Sequence, residues 1–73
     1  MANVLHLLGS NDPGRALPVI AGQLAAGDVV TVAVVGPAEP SLPPGLTVHR
    51  VPGGLSWDQL LDLIITTDQT FSW

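Results

Sequence analysis

The chain has 73 residues with six acidic and two basic side chains, a formal net charge of -4, 47% hydrophobic and 11% charged residues. That length holds at most one domain, so residues 1–73 are read as a single unit. The absence of cysteine excludes a disulfide scaffold, a thiolate zinc site, a cysteine nucleophile and any sulfur carried on this chain's own thiols.

Asn3 to Leu8 is a short apolar run closed by Gly9, read as a buried strand. Gly9 to Gly14 is dense in turn-forming residues. From Ala16 to Ala26, Leu17, Ile20, Ala21 and Leu24 recur at helical spacing, and Gly27 is a suitable C′ stop. A helix starting near Arg15 places Pro18 in the first turn, where a missing N–H is tolerated. Gly22 weakens this helix and is expected to mark close packing on the sheet. Val29 to Val35 is β-branched almost throughout and apolar on both alternating faces, the pattern of a strand covered on both sides. Pro37 to Gly45 carries four prolines and is expected to be an extended, stiff linker.

Leu46 to Val51 reads as a third strand, with its direction left open, closed by Pro52, Gly53 and Gly54. The last helix opens with Ser56 as N-cap and Gln59 three residues on, a capping box. Trp57, Leu60, Leu61, Ile64 and Ile65 are assigned to one apolar face that packs on the sheet, with Asp58 and Asp62 opposite. Asp58 also complements the helix dipole. The helix is expected to fray near Thr66 to Asp68 and to be followed by a tail, Gln69 to Trp73. The expected fold is therefore α/β, a small, open, three-stranded, mostly parallel sheet with two helices in the order β-α-β-β-α. The two helices are placed on opposite faces, and both sheet edges are left open.

The chemistry is sparse. Gly9 to Arg15 approaches a phosphate-cradling loop, but Arg15-Ala16 stands where Lys-Ser or Lys-Thr is needed, and Pro13 removes an amide donor. A nucleoside triphosphatase is not expected. An anion site near the first helix remains open, with Ser10, Asn11, Arg15 and Ser56 as candidate rim residues at the carboxyl end of the sheet. His6 and His49 lie in strands with no third ligand at readable spacing, so they are read as structural histidines, with no metal and no cofactor. Ser10 lacks a nucleophile elbow, and the carboxylates Asp12, Asp28, Glu39, Asp58, Asp62 and Asp68 read as solvating or capping. No catalytic residue is assigned. Phe71 and Trp73 are candidate interface residues, docking on the chain's own core or on a neighbouring subunit.

Arg15 and Arg50, the only cations, are far apart in sequence, so direct nucleic-acid binding is not expected. The longest strongly apolar stretch is too short to cross a bilayer, and no basic n-region marks a signal peptide, so a cytoplasmic location with no membrane contact is the default. A chain this short buries only roughly 60% of its unfolded surface, yet it is unusually apolar. Burial against another chain resolves that tension, so an oligomer is expected.

The two ends of the sequence carry a resemblance. Val4-Leu5-His6-Leu7-Leu8-Gly9-Ser10 stands near the start, and Ala26-Gly27-Asp28 leads into the second strand. Trp57-Asp58-Gln59-Leu60-Leu61-Asp62-Leu63 and Thr67-Asp68-Gln69-Thr70-Phe71-Ser72-Trp73 close the chain. In that order they resemble the DsrH/TusB family of small sulfur-relay subunits. The resemblance implies a DsrE-like (flavodoxin/Rossmann-like) fold and assembly as a homo-oligomer, or as a hetero-oligomer with DsrE/DsrF (TusD/TusC)-like subunits. Such complexes pass persulfide sulfur between cysteines, toward 2-thiolation of the transfer-RNA wobble uridine or in sulfur oxidation. Some family members carry a cysteine in or near helix one, where this chain has apolar Val19 to Ala21, so a structural, non-catalytic subunit is implied. The chain also departs from the family in length, since Pro37 to Gly45 replaces what is usually another strand and helix. The alternative reading is a small oligomeric α/β module binding a nucleotide or small anion at the first β-α loop.

Overall fold

The structure, a computed structural model, describes residues 2–9 and 14–73. Its elements are β1 (Asn3–Leu8), α1 (Ala16–Ala25), β2 (Val29–Val35), β3 (Thr47–Val51), α2 (Trp57–Thr66) and β4 (Gln69–Ser72). The strands form one parallel sheet in the order β3-β2-β1-β4.

The fourth strand corrects the expectation of three strands followed by a tail. Gln69 to Ser72 pairs along β1, with His6 opposite Phe71 and Leu7 opposite Ser72. This places β1 inside the sheet, with β3 and β4 as its edges. Two carboxylates set where β1 starts. Asp68 Oδ2 accepts from the Asn3 N–H at 2.8 Å while the Asp68 N–H donates back to the Asn3 carbonyl at 2.9 Å. On the other flank Asp28 Oδ1 accepts from the Ala2 N–H at 3.0 Å. Charged acceptors make these stronger than neutral pairs. They define the register of a strand whose neighbours, β2 and β4, lie about 40 residues apart in sequence.

α1 begins at Ala16, so Pro18 is its third residue and its missing N–H is one that a first turn leaves unpaired anyway. The helix stops in a Schellman arrangement. Gly27 takes φ +85°, its N–H donates to the Leu24 carbonyl, and the Asp28 N–H donates to the Gln23 carbonyl. Gly22 does not mark close packing. It is exposed, and a Cβ built there meets no atom within 4 Å.

The sheet has a core on each face. On one face Leu8, Val30, Val32 and Val34 meet Ala16 and Ile20 of α1. The proline-rich crossover adds Ala38, with Leu42 and Leu46 packed alongside. Residues 37–45 are indeed without a helix, yet this stretch does a helix's work by laying apolar side chains on that face. It is tied down where Arg50 Nη1 donates to the Gly36 carbonyl at 3.0 Å. On the other face Leu5, Ala33 and Val51 meet Leu60, with Leu7, Leu55, Leu63 and Ile64 packed against them.

The capping box of α2 is formed: Ser56 Oγ accepts from the Gln59 N–H at 3.1 Å, and Gln59 Oε1 accepts from the Ser56 N–H at 2.8 Å. The apolar face of α2 is narrower than expected. Leu60 is buried and Leu63 and Ile64 are half-buried, but Trp57, Leu61 and Ile65 are exposed. At about 100° per residue the apolar positions of α2 span roughly 200° of the helix, more than one sheet face can cover. Trp57 therefore does not pack α2 on the sheet. Among the described residues no helix is long and apolar enough to cross a membrane.

Candidate functional site

Four parallel strands place their carboxyl ends on one rim. α1 joins β1 to β2 over one face, and α2 joins β3 to β4 over the other. The connections thus diverge between β1 and β4. In open α/β sheets the crevice beyond the carboxyl ends at such a switch point is the usual ligand position. Here it is flanked by Gly9, at the end of β1, and Trp73, whose N–H donates to the Leu7 carbonyl at 3.0 Å.

Among the described residues, the one buried polar side chain sits just beneath this rim. His6 is fully buried. Its Nε2 lies 2.6 Å from Gln23 Oε1 of α1, and its Nδ1 accepts from the Trp73 indole N–H at 2.8 Å. An indole can only donate, so Nδ1 carries the lone pair and Nε2 carries the proton given to Gln23. Both ring nitrogens are satisfied by one arrangement of three side chains. The imidazole also lies nearly parallel to the Phe71 and Trp73 rings, at centroid distances of 5.0 and 6.0 Å and interplanar angles of 14°. His6 therefore belongs to the structural histidines expected from sequence, and it fastens β1 at once to α1 and to β4.

The two histidines do not approach a common site. His6 aligns with Val32 and His49 with Ala33, and adjacent strand positions face opposite sides of the sheet. Among the described residues no group of three His, Cys, Asp or Glu side chains could hold a metal ion.

Of the candidate rim residues, Ser10 and Asn11 lie outside the described residues, as does Asp12. Arg15 is exposed at the N-cap position of α1, without a side-chain capping bond. Ser56 stands at the start of α2 with its hydroxyl oxygen committed to the capping box. Arg15 and Ser56 thus share the carboxyl end of the sheet but open helices on opposite faces. The other cation, Arg50, is engaged by Gly36 and lies 3.8 Å from Glu39. The candidate interface residues Phe71 and Trp73 rest on the chain's own sheet through His6, and Trp73 remains 43% exposed.

Gln23 is the residue that sequence reading missed. It is the one strongly polar side chain in α1, and a lone amide on an otherwise apolar helix was an available sign of a polar partner on the sheet. His6, bonded to Trp73 toward the carboxyl end of β1, and Asp28 and Asp68, which brace its first residues, all act on this one strand. They hold the first strand between the second and the last. No protein-family model, no curated protein and no solved structure matches this chain.

Proposed function

We propose that this chain is a non-catalytic, DsrH/TusB-like subunit of a sulfur-relay complex, working bound to a partner chain that carries the transferring cysteine. It serves as a structural α/β surface, in 2-thiolation of transfer RNA or in sulfur oxidation, in the cytoplasm. The observation that carries the reading is the order of the four segments that resemble the family, in a chain without a thiol. In support, several polar residues of those segments are used within the fold. His6, Asp28, Asp68 and Trp73 spend their hydrogen bonds on placing β1 and β4. Ser56 and Gln59 spend theirs on opening α2.

Affinity purification of the tagged chain from its own host tests the proposal. Recovery with a DsrE- or TusD-like subunit bearing a cysteine is the expected result. Recovery alone, or only with chains lacking such a cysteine, removes it.

A second reading has one observation in its favour: Arg15 is exposed at the start of α1, beside the switch point of the sheet. An anion or nucleotide held there stabilises the fold by about 2.7 kcal/mol at 100 times its dissociation constant. A thermal-shift series with phosphate and nucleotides, repeated on Arg15→Ala, decides it. A shift that disappears in the variant supports this reading, and the lack of any shift discards it.

A further inference from the structure

Among the described residues, six large apolar side chains are exposed, and three of them stand in one row on α2: Trp57 at 53%, Leu61 at 57% and Ile65 at 79% exposure. Successive members are four residues apart, so they form a single ridge, the feature that packs into the groove of another helix. The ridge is held ready. Leu60 anchors α2 in the core and the capping box defines its first turn.

We propose that this ridge is the docking surface for an amphipathic helix of a different chain, one whose apolar seam is bordered by Lys or Arg. The charge around the ridge selects that occupant. Asp58 and Asp62 follow Trp57 and Leu61 directly and line the solvent side of the ridge, and α2 contains no Lys or Arg. The partial negative charge of the helix C-terminus adds to the same sign beside Ile65.

A second copy of this chain fits poorly. Its own α2 brings the same acidic margin, and its two cations lie elsewhere, Arg15 at the start of α1 on the other face and Arg50 against Gly36 and Glu39. An anionic lipid surface is repelled by the same carboxylates. A cation-bordered apolar helix meets both halves of the surface, its seam covering the ridge and its charges answering Asp58 and Asp62. This deepens the subunit reading and rests only on its premise that the chain works bound to a different chain. It does not depend on sulfur chemistry.

The test uses the whole chain and two fluorescently labelled peptides of about five helical turns, with the same leucine seam bordered by Lys in one and by Glu in the other. Anisotropy is expected to show binding of the Lys-bordered peptide only. Leu61→Asp weakens that binding about tenfold or more, and its unchanged circular dichroism shows that the fold is intact. Asp58→Lys combined with Asp62→Lys reverses the preference to the Glu-bordered peptide.

The proposal is overturned if neither peptide binds, if both bind equally, or if Leu61→Asp binds as the parent does. It is likewise overturned if sedimentation shows a dimer that Leu61→Asp dissociates, or if phosphatidylglycerol vesicles compete the peptide away. The two readings fail separately. A cysteine-bearing subunit recovered equally by the parent and by Leu61→Asp removes the docking surface and leaves the subunit reading. Charge-selective peptide binding without recovery of any such subunit does the reverse.

Discussion

The two faces of the sheet are finished to different degrees. One carries α1, the proline-rich crossover and the His6-Phe71-Trp73 rings, and it closes over Ile20, Val32 and Leu8. The other carries α2, which buries Leu60 and leaves Trp57, Leu61 and Ile65 in water. The sheet between them is the same, so the difference lies in the cover. On the first face three separate segments share the work, and on the second a single helix has more apolar surface than it can place.

The contrast is broken most directly on the first face. Ile20 is fully buried, and Ile20→Ala is expected to cost about 2–5 kcal/mol by urea unfolding. In a small domain holding on the order of 5–15 kcal/mol this is a large fraction of the total. A cost well under that range would mean the α1 face is loosely packed and the contrast false.

Next in size is the fastening of β4. Trp73→Phe keeps a ring on His6 but leaves the buried Nδ1 without its donor, at an expected cost of about 1–3 kcal/mol. The same substitution made on a His6→Leu background should cost clearly less, since the acceptor is already gone. Additive losses would show that the indole contributes packing alone.

Ser56→Ala removes the α2 cap and should cost about 1 kcal/mol, with helix content read by circular dichroism. Gly22→Ala should raise stability by about 0.5–1 kcal/mol, because the position is helical and open and the substitution restricts the unfolded chain. A loss there would reveal a close approach on the outer side of α1. Leu61→Gln should lie within about 0.5 kcal/mol of the parent. A larger loss would place Leu61 in the core and remove the difference between the faces.

Much of this architecture was legible in the residues, for identifiable reasons. β1 and β2 were bounded by Asn3, Gly9 and Gly36, and α1 ends at Gly27 because only a residue at ease with φ +85° closes it. Ser56 and Gln59 located the start of α2 through a purely local pair of bonds. β4 was not legible. Gln69-Thr70-Phe71-Ser72 has a single apolar side chain, so neither alternation nor a buried run announces it, and it is a strand because Asn3 and Leu7 supply partners more than 60 residues away.

Burial of α2 was over-read for a geometric reason, since periodicity reports which residues are apolar and says nothing of how much of the arc a flat sheet can reach. At the candidate site His6 spends both ring nitrogens on partners within the fold. Its two partners, 17 and 67 residues away, could not be named from spacing. Of the proposed rim, Arg15 and Ser56 fall at one end of the sheet on opposite faces, while Ser10 and Asn11 lie beyond the described residues.

The pairing of β1 with β4 sets an order on synthesis. β1 occupies the middle of the sheet, and one of its two neighbours is made only after residue 68. Until then β1 has one unpaired edge and His6 Nδ1 lacks its indole donor, and pairing strands so far apart in sequence is among the slower steps a small domain can require. A variant that stops before Gln69 should therefore be cut readily by proteases, and restoring residues 69–73 should protect it.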